Sequence, residues 1–141
     1  MGGRKEVNFI SKGNDNFASF RLRTAFPAET LTGYSSLYEG KIAEEPDFGA
    51  DINVFSKHWD MHNDGKNIVE LKAENNKTVF DICDDHFNRE LGDYYRHMCE
   101  FAHLIICPTE KLSERIYEET RRSSSVVPDP ITFPFYEHKY D

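Results

Sequence analysis

Two carboxylates and an imidazole stand side by side at Asp84-Asp85-His86. These are the groups of general acid–base chemistry: an imidazole that takes a proton near neutral pH, and carboxylates that hold the resulting charge or a substrate hydroxyl. They follow directly on Thr78-Val79-Phe80-Asp81-Ile82-Cys83, an apolar run too short for a helix and rich in strand formers. A continuous run of this kind is the pattern of a strand buried in a parallel sheet. In open α/β sheets ligands bind outside the carboxyl ends of the strands, where these three side chains would project. The competing role is structural, with Asp85 capping a helix through the N–H of Phe87. Adjacent carboxylates raise one another's pKa only where burial prevents screening.

A second set of groups precedes them. Lys12, Arg21 and Arg23 lie in or just after the first strand–helix loop, where Rossmann-like folds bind anions. On a helix Arg21 and Arg23 point about 200° apart, at roughly 100° per residue, so both face one phosphate only where the segment is extended. The alternative is one exposed and one paired arginine. The loop lacks G-x-G-x-x-G, which argues against a dinucleotide cofactor.

Other residues with chemical potential have plainer readings. His58 and His62 stand four apart near Asp60 and Asp64, but without HExxH or a third ligand at familiar spacing they predict solvated or capping residues, and no metal site is expected. Trp59, the one tryptophan, is a stacking surface or a partly buried core residue. Arg121 and Arg122 read as charges favoured by a helix C-terminus.

The elements that must position these groups alternate. Strands are expected at residues 7–10, 50–56, 78–83, 104–107 and 123–127, with a doubtful one at 34–39. Helical spacing appears at residues 17–31, interrupted by Pro27, at 66–75, at 90–103 through Leu91, Tyr94, Tyr95, Met98, Phe101 and Ala102, and from Thr109 through Leu112 and Ile116. Leu112 stands where the capping box after Thr109 wants Glu or Gln, so that box fails. Alternation of this kind implies an α/β fold: a single Rossmann-like domain, a mostly parallel sheet with helices on both faces, in strand order 3-2-1-4-5-6. Residues 1–6 are an N-terminal extension or tag remnant, 7–130 the domain, and 131–141 a tail or linker in which Phe133, Phe135 and Tyr136 could form a docking arm.

Composition bounds the partners. The 141-residue chain carries a net charge of −8 at pH 7 and a pI near 5.2, which disfavours nucleic acid and anionic membranes. Eleven Phe and seven Tyr are too many rings for a disordered chain. No run has membrane-spanning length and no signal-peptide core is present. Cys83, Cys99 and Cys107 are odd in number and sit in apolar contexts, as reduced thiols in a cytoplasmic protein do.

Four stretches together resemble the N-terminal domain of GT-B fold glycosyltransferases, the group 1 or family 4-like type. They are Ala18-Ser19-Phe20-Arg21-Leu22-Arg23 with Pro27 and Leu31-Thr32-Gly33; residues 50–57, ADINVFSK; residues 79–87, VFDICDDHF; and residues 125–131, SVVPDPI. The likeness spans about residues 7–134. It implies the acceptor-side half of an enzyme that transfers a sugar from a nucleotide-sugar donor. His86, Asp84 and Asp85 would act at the acceptor, and Lys12, Arg21 and Arg23 near the phosphates. The nucleotide-sugar is a co-substrate, and no other cofactor is implied. The second, donor-binding domain is missing from the sequence, so the partners implied are a sugar acceptor, a second α/β domain or a second copy of the chain. Glu110 and Glu118 match the E-x7-E spacing of retaining members, but there the pair belongs to the second domain, and here it reads as two solvated carboxylates. The alternative to an enzyme is a non-catalytic Rossmann-like module that binds a saccharide or pairs with a separate donor-binding chain.

Overall fold

The computed structural model describes residues 3–12, 21–56 and 58–129. All six strands are parallel: β1 (Lys5–Ile10), β2 (Tyr38–Ala43), β3 (Ile52–Ser56), β4 (Lys77–Asp81), β5 (Leu104–Cys107) and β6 (Ser125–Val126). Four helices connect them: α1 (Phe26–Tyr34), α2 (Asn63–Ala73), α3 (Gly92–Phe101) and α4 (Glu110–Thr120). A π-helical turn, Arg21–Ala25, leads into α1. Pro27 sits in the first turn of α1, where its missing N–H removes no helical bond; the expected interruption is a helix start. The α/β architecture with a parallel sheet is therefore as the alternation implies.

The strand order differs from expectation. It is β2-β1-β3-β4-β5-β6, not 3-2-1-4-5-6. The side chains show why. Asn8 on β1 donates to Asn53 on β3 at 3.0 Å, and Asn53 donates to Asn76 at 3.2 Å and to the Asp47 carbonyl at 2.8 Å. This buried ladder holds β3 beside β1 and satisfies the loop between β2 and β3. The order reverses between β1 and β3, and crevices form at such a point.

Topology also splits the helices. The chain steps one way from β1 to β2 and the other way from β3 to β6, so right-handed crossovers place α1 on one face and α2, α3 and α4 on the opposite face. The three-helix face holds the main core. Ile10, Phe55, Phe80 and Ile105 stand in register across four strands, and Ile68, Leu71, Met98 and Ile116 pack onto them. Each such fully buried side chain contributes about 1.5–3 kcal/mol. The other face carries a smaller cluster of Val7, Phe9, Val54 and Ala28. Thr109 caps α4, its Oγ1 accepting the Leu112 N–H at 3.2 Å, so half of the box expected to fail is present. The C-terminus of α3 is served by Arg122, which donates to the carbonyls of Cys99 and Ala102. No described helix is long and apolar enough to cross a membrane. The aromatic tail lies outside the described residues.

Gly40 on β2 marks the closest approach of α1. A Cβ there would lie 2.6 Å from the Ala28 Cα, while one at Gly33 would meet nothing within 4 Å. Gly40→Ala is expected to cost about 1–3 kcal/mol in urea unfolding through overpacking. Gly33→Ala, inside α1, is expected to be neutral or to stabilise by up to ~1 kcal/mol.

Candidate functional site

The carboxyl ends of the parallel strands form one rim, and the predicted residues gather along it. Ser11 and Lys12 follow β1, residues 58–62 follow β3, and residues 82–87 follow β4. Arg23 returns to the same rim from the π-helical turn.

Arg23 does not face outward. Its side chain is 5% exposed and grips Asp81, the last residue of β4, through Nε at 3.0 Å and Nη2 at 2.5 Å. Nη1 donates to the Val127 carbonyl at 2.6 Å and reaches Asp129 at 3.3 Å. Burial alone would lower its pKa, but the hydrogen bonds and charge of Asp81 outweigh that and hold it above the ordinary arginine value. Burial pushes the Asp81 carboxyl up, against the pull of Arg23. Arg23 is thus a clamp between the first loop, β4 and the segment after β6, and it has no side-chain donor pointed at a phosphate. Lys12 is 3.6 Å from Asp60. The Arg21 side chain lies outside the described residues.

The turn after β4 is shared between structure and surface. Asp85 accepts the Phe87 N–H at 3.2 Å within a turn that ends well before α3, so it caps no helix, and it also pairs with Arg115 at 3.1 Å. Asp84 is half-exposed, and its carboxylate lies 4.0 Å from His86 Nε2. The imidazole of His86 is packed edge-on to Trp59 at 5.7 Å and tilted against Tyr95 at 6.1 Å. Beside them an open pocket of about 490 Å³ is lined by Asp84, Asp85, Glu114 and Glu118 against Lys111 and Arg115. Carboxylates outnumber cations there, which suits hydroxyl groups and repels a diphosphate.

The structure adds a network that spacing did not reveal. His58 and Asp64 are both buried and meet at 2.6 Å through Nδ1. His58 Nε2 faces the Glu44 carbonyl at 2.5 Å. Asp64 also accepts the Tyr94 hydroxyl at 2.6 Å and the Asp60 N–H at 3.2 Å. His62 turns away, into a separate pocket with His97. Among the described residues no three metal-ligating side chains converge. The two histidines four apart were a visible signal, but the useful pairing was His58 with Asp64 at the start of a helix.

Trp59 sits within this network at φ +50, a left-handed conformation that costs a bulky residue roughly 1–2 kcal/mol. His58 before it and Asp60 after it are both bonded to Asp64, and its carbonyl accepts the Met61 N–H at 2.9 Å. Tyr95 donates to the Asp84 carbonyl at 3.2 Å. Burial, with the nearby carboxylate charge, pushes both tyrosines up, so each remains a donor at neutral pH.

Comparison with protein-family models, with curated proteins and with solved structures finds no match to this chain. The functional reading rests on the residues themselves.

Removing Arg23 leaves Asp81 charged and buried. Arg23→Met is expected to cost about 3–5 kcal/mol in urea unfolding, and adding Asp81→Asn to recover part of it. His58 supplies a pH test. Both its nitrogens face acceptors, and only the imidazolium has two N–H groups. Burial works against that form, but the hydrogen bond and charge of Asp64 and the Glu44 carbonyl overcome it and raise the pKa. The stability it adds is complete below the unfolded value of about 6.5 and is lost as pH rises through the higher native value. Urea midpoints measured against pH show this fall in the parent, and His58→Gln flattens it.

Proposed function

We propose that this domain is the acceptor-side half of a glycosyltransferase, acting with a nucleotide-sugar donor held elsewhere. The observation that carries the reading is the grouping of His86, Asp84 and the acidic pocket at the carboxyl ends of β4 and β5. The four sequence stretches resembling the N-terminal domain of GT-B enzymes support it independently.

In this reading an acceptor hydroxyl lies against His86. Its oxygen attacks the anomeric carbon, the bond from that carbon to the diphosphate oxygen breaks, and the hydroxyl proton passes to His86. Asp84 steadies the imidazolium that forms. The departing diphosphate must be neutralised by cations. Arg23 is buried against Asp81 and Lys12 is paired with Asp60, so that task falls to a second domain or chain. The same observation favours the second reading, a saccharide-binding module without catalysis that pairs with a separate donor-binding chain.

Saturation-transfer NMR on the 141-residue chain tests the acceptor assignment. Methyl β-D-glucopyranoside or methyl α-D-mannopyranoside is expected to bind, and UDP-glucose and GDP-mannose to give no saturable signal. Asp84→Asn is expected to weaken glycoside binding about tenfold or more, since a hydrogen bond to a charged group contributes roughly 1.5–3 kcal/mol. Nucleotide-sugar binding without glycoside binding would reverse the assignment to the donor side.

A further inference from the structure

We infer that Trp59 is a stacking platform for the apolar face of a pyranose ring, set at a right angle to His86. The inference rests on the acceptor reading for the class of ligand, and on separate observations for the platform.

The first observation is the backbone. A tryptophan at φ +50 is an outlier that persists only where the surroundings enforce it. Here they enforce it at both ends of the residue. Asp64 holds the residues on either side, meeting His58 Nδ1 at 2.6 Å and accepting the Asp60 N–H at 3.2 Å, and the Met61 N–H donates to the Trp59 carbonyl at 2.9 Å. Tyr94 is anchored by Asp64, which is anchored by His58. A tryptophan that merely filled core would not need the strained φ.

The second observation is exposure. Trp59 is 37% exposed. What an indole then offers a ligand is ring surface, the surface that the C–H face of a sugar covers. The third observation is orientation. The Trp59 and His86 rings stand 5.7 Å apart at 80°. A sugar laid on one ring therefore presents its edge to the other, with the half-exposed Asp84 within reach of its hydroxyls. Tyr95 is a positioning residue: its hydroxyl holds the Asp84 carbonyl at 3.2 Å and its ring packs against His86, which stands edge-on to Trp59.

Trp59 is the single tryptophan, so its emission reports on this place alone. Methyl β-D-glucopyranoside and methyl α-D-mannopyranoside are titrated into the full chain, with calorimetry in parallel. A saturable change in emission and protection from acrylamide are expected for a glycoside that binds. Glycine tolerates φ +50 without strain, which offsets part of the packing lost with the indole, so Trp59→Gly is expected to fold with a lowered urea midpoint while losing roughly tenfold in glycoside binding. Trp59→Phe retains a ring and most of the binding. Tyr95→Phe carries the test should Trp59→Gly fail to fold: it is expected to increase acrylamide quenching and weaken binding with the fold intact. Glycoside binding by calorimetry that leaves emission, Trp59→Gly and Tyr95→Phe unchanged overturns the platform and leaves the acceptor reading standing. No calorimetric binding of either glycoside to the parent overturns both.

Discussion

A guanidinium cannot shed its proton inside a protein, so burying Arg23 obliges the fold to bury an anion beside it. Asp81 is that anion, and Ser56 bonds it as well at 3.3 Å. Three separate parts of the chain meet in this pair: the turn before α1, the end of β4 and the segment after β6. Neither charge is tolerable alone, so the carboxyl ends of the central strands are held in one arrangement. The loops that follow β3 and β4 hang from this fixed edge. The same bond removes Arg23 from service as an anion ligand.

The second polar assembly, His58 with Asp64, Tyr94 and Tyr95, differs in kind. The Arg23 pair joins segments far apart in sequence. The histidine assembly instead holds one residue, Trp59, in a conformation it would not choose. Its members come from the loop after β3 and from the starts of α2 and α3, so it depends on the packing of those helices over Phe80 and Phe55. Networks of this type are costly when one member is unsatisfied. Here each of the four polar side chains has a partner. The outcome is a rim with an aromatic corner beside a pocket in which carboxylates outnumber cations.

The three-to-one division of helices follows from strand order. Because β3 lies beside β1, all later crossovers run over one face, and the opposite face beyond α1 is left to β4, β5 and β6. Leu104 and Val127 are exposed there. An apolar cavity of about 340 Å³ lies on that side, lined by Phe9, Val54 and Ile106 together with Leu22, Phe26 and Pro27 from the first loop and α1. The core that stabilises the domain and the rim that presents the candidate site are thus built mainly from the other face.

Element types were readable from periodicity because burial imposes it: the runs that became β1, β3, β4 and β5, and the 3.6-residue spacing that became α3, needed no knowledge of neighbours. The position of Asp84, Asp85 and His86 at a strand end followed from the same pattern. Strand order did not, because it turns on one carboxamide meeting another, Asn8 with Asn53, forty-five positions apart. Nor did the fate of Arg23, whose partner is fifty-eight positions away. His58, Asp64 and Tyr94 showed their types in the chain but not their convergence, and nothing local announced the left-handed backbone of Trp59. Local propensity acts within a few residues, whereas pairing of buried charge and hydrogen-bonding groups is settled only when the whole sheet has closed around them.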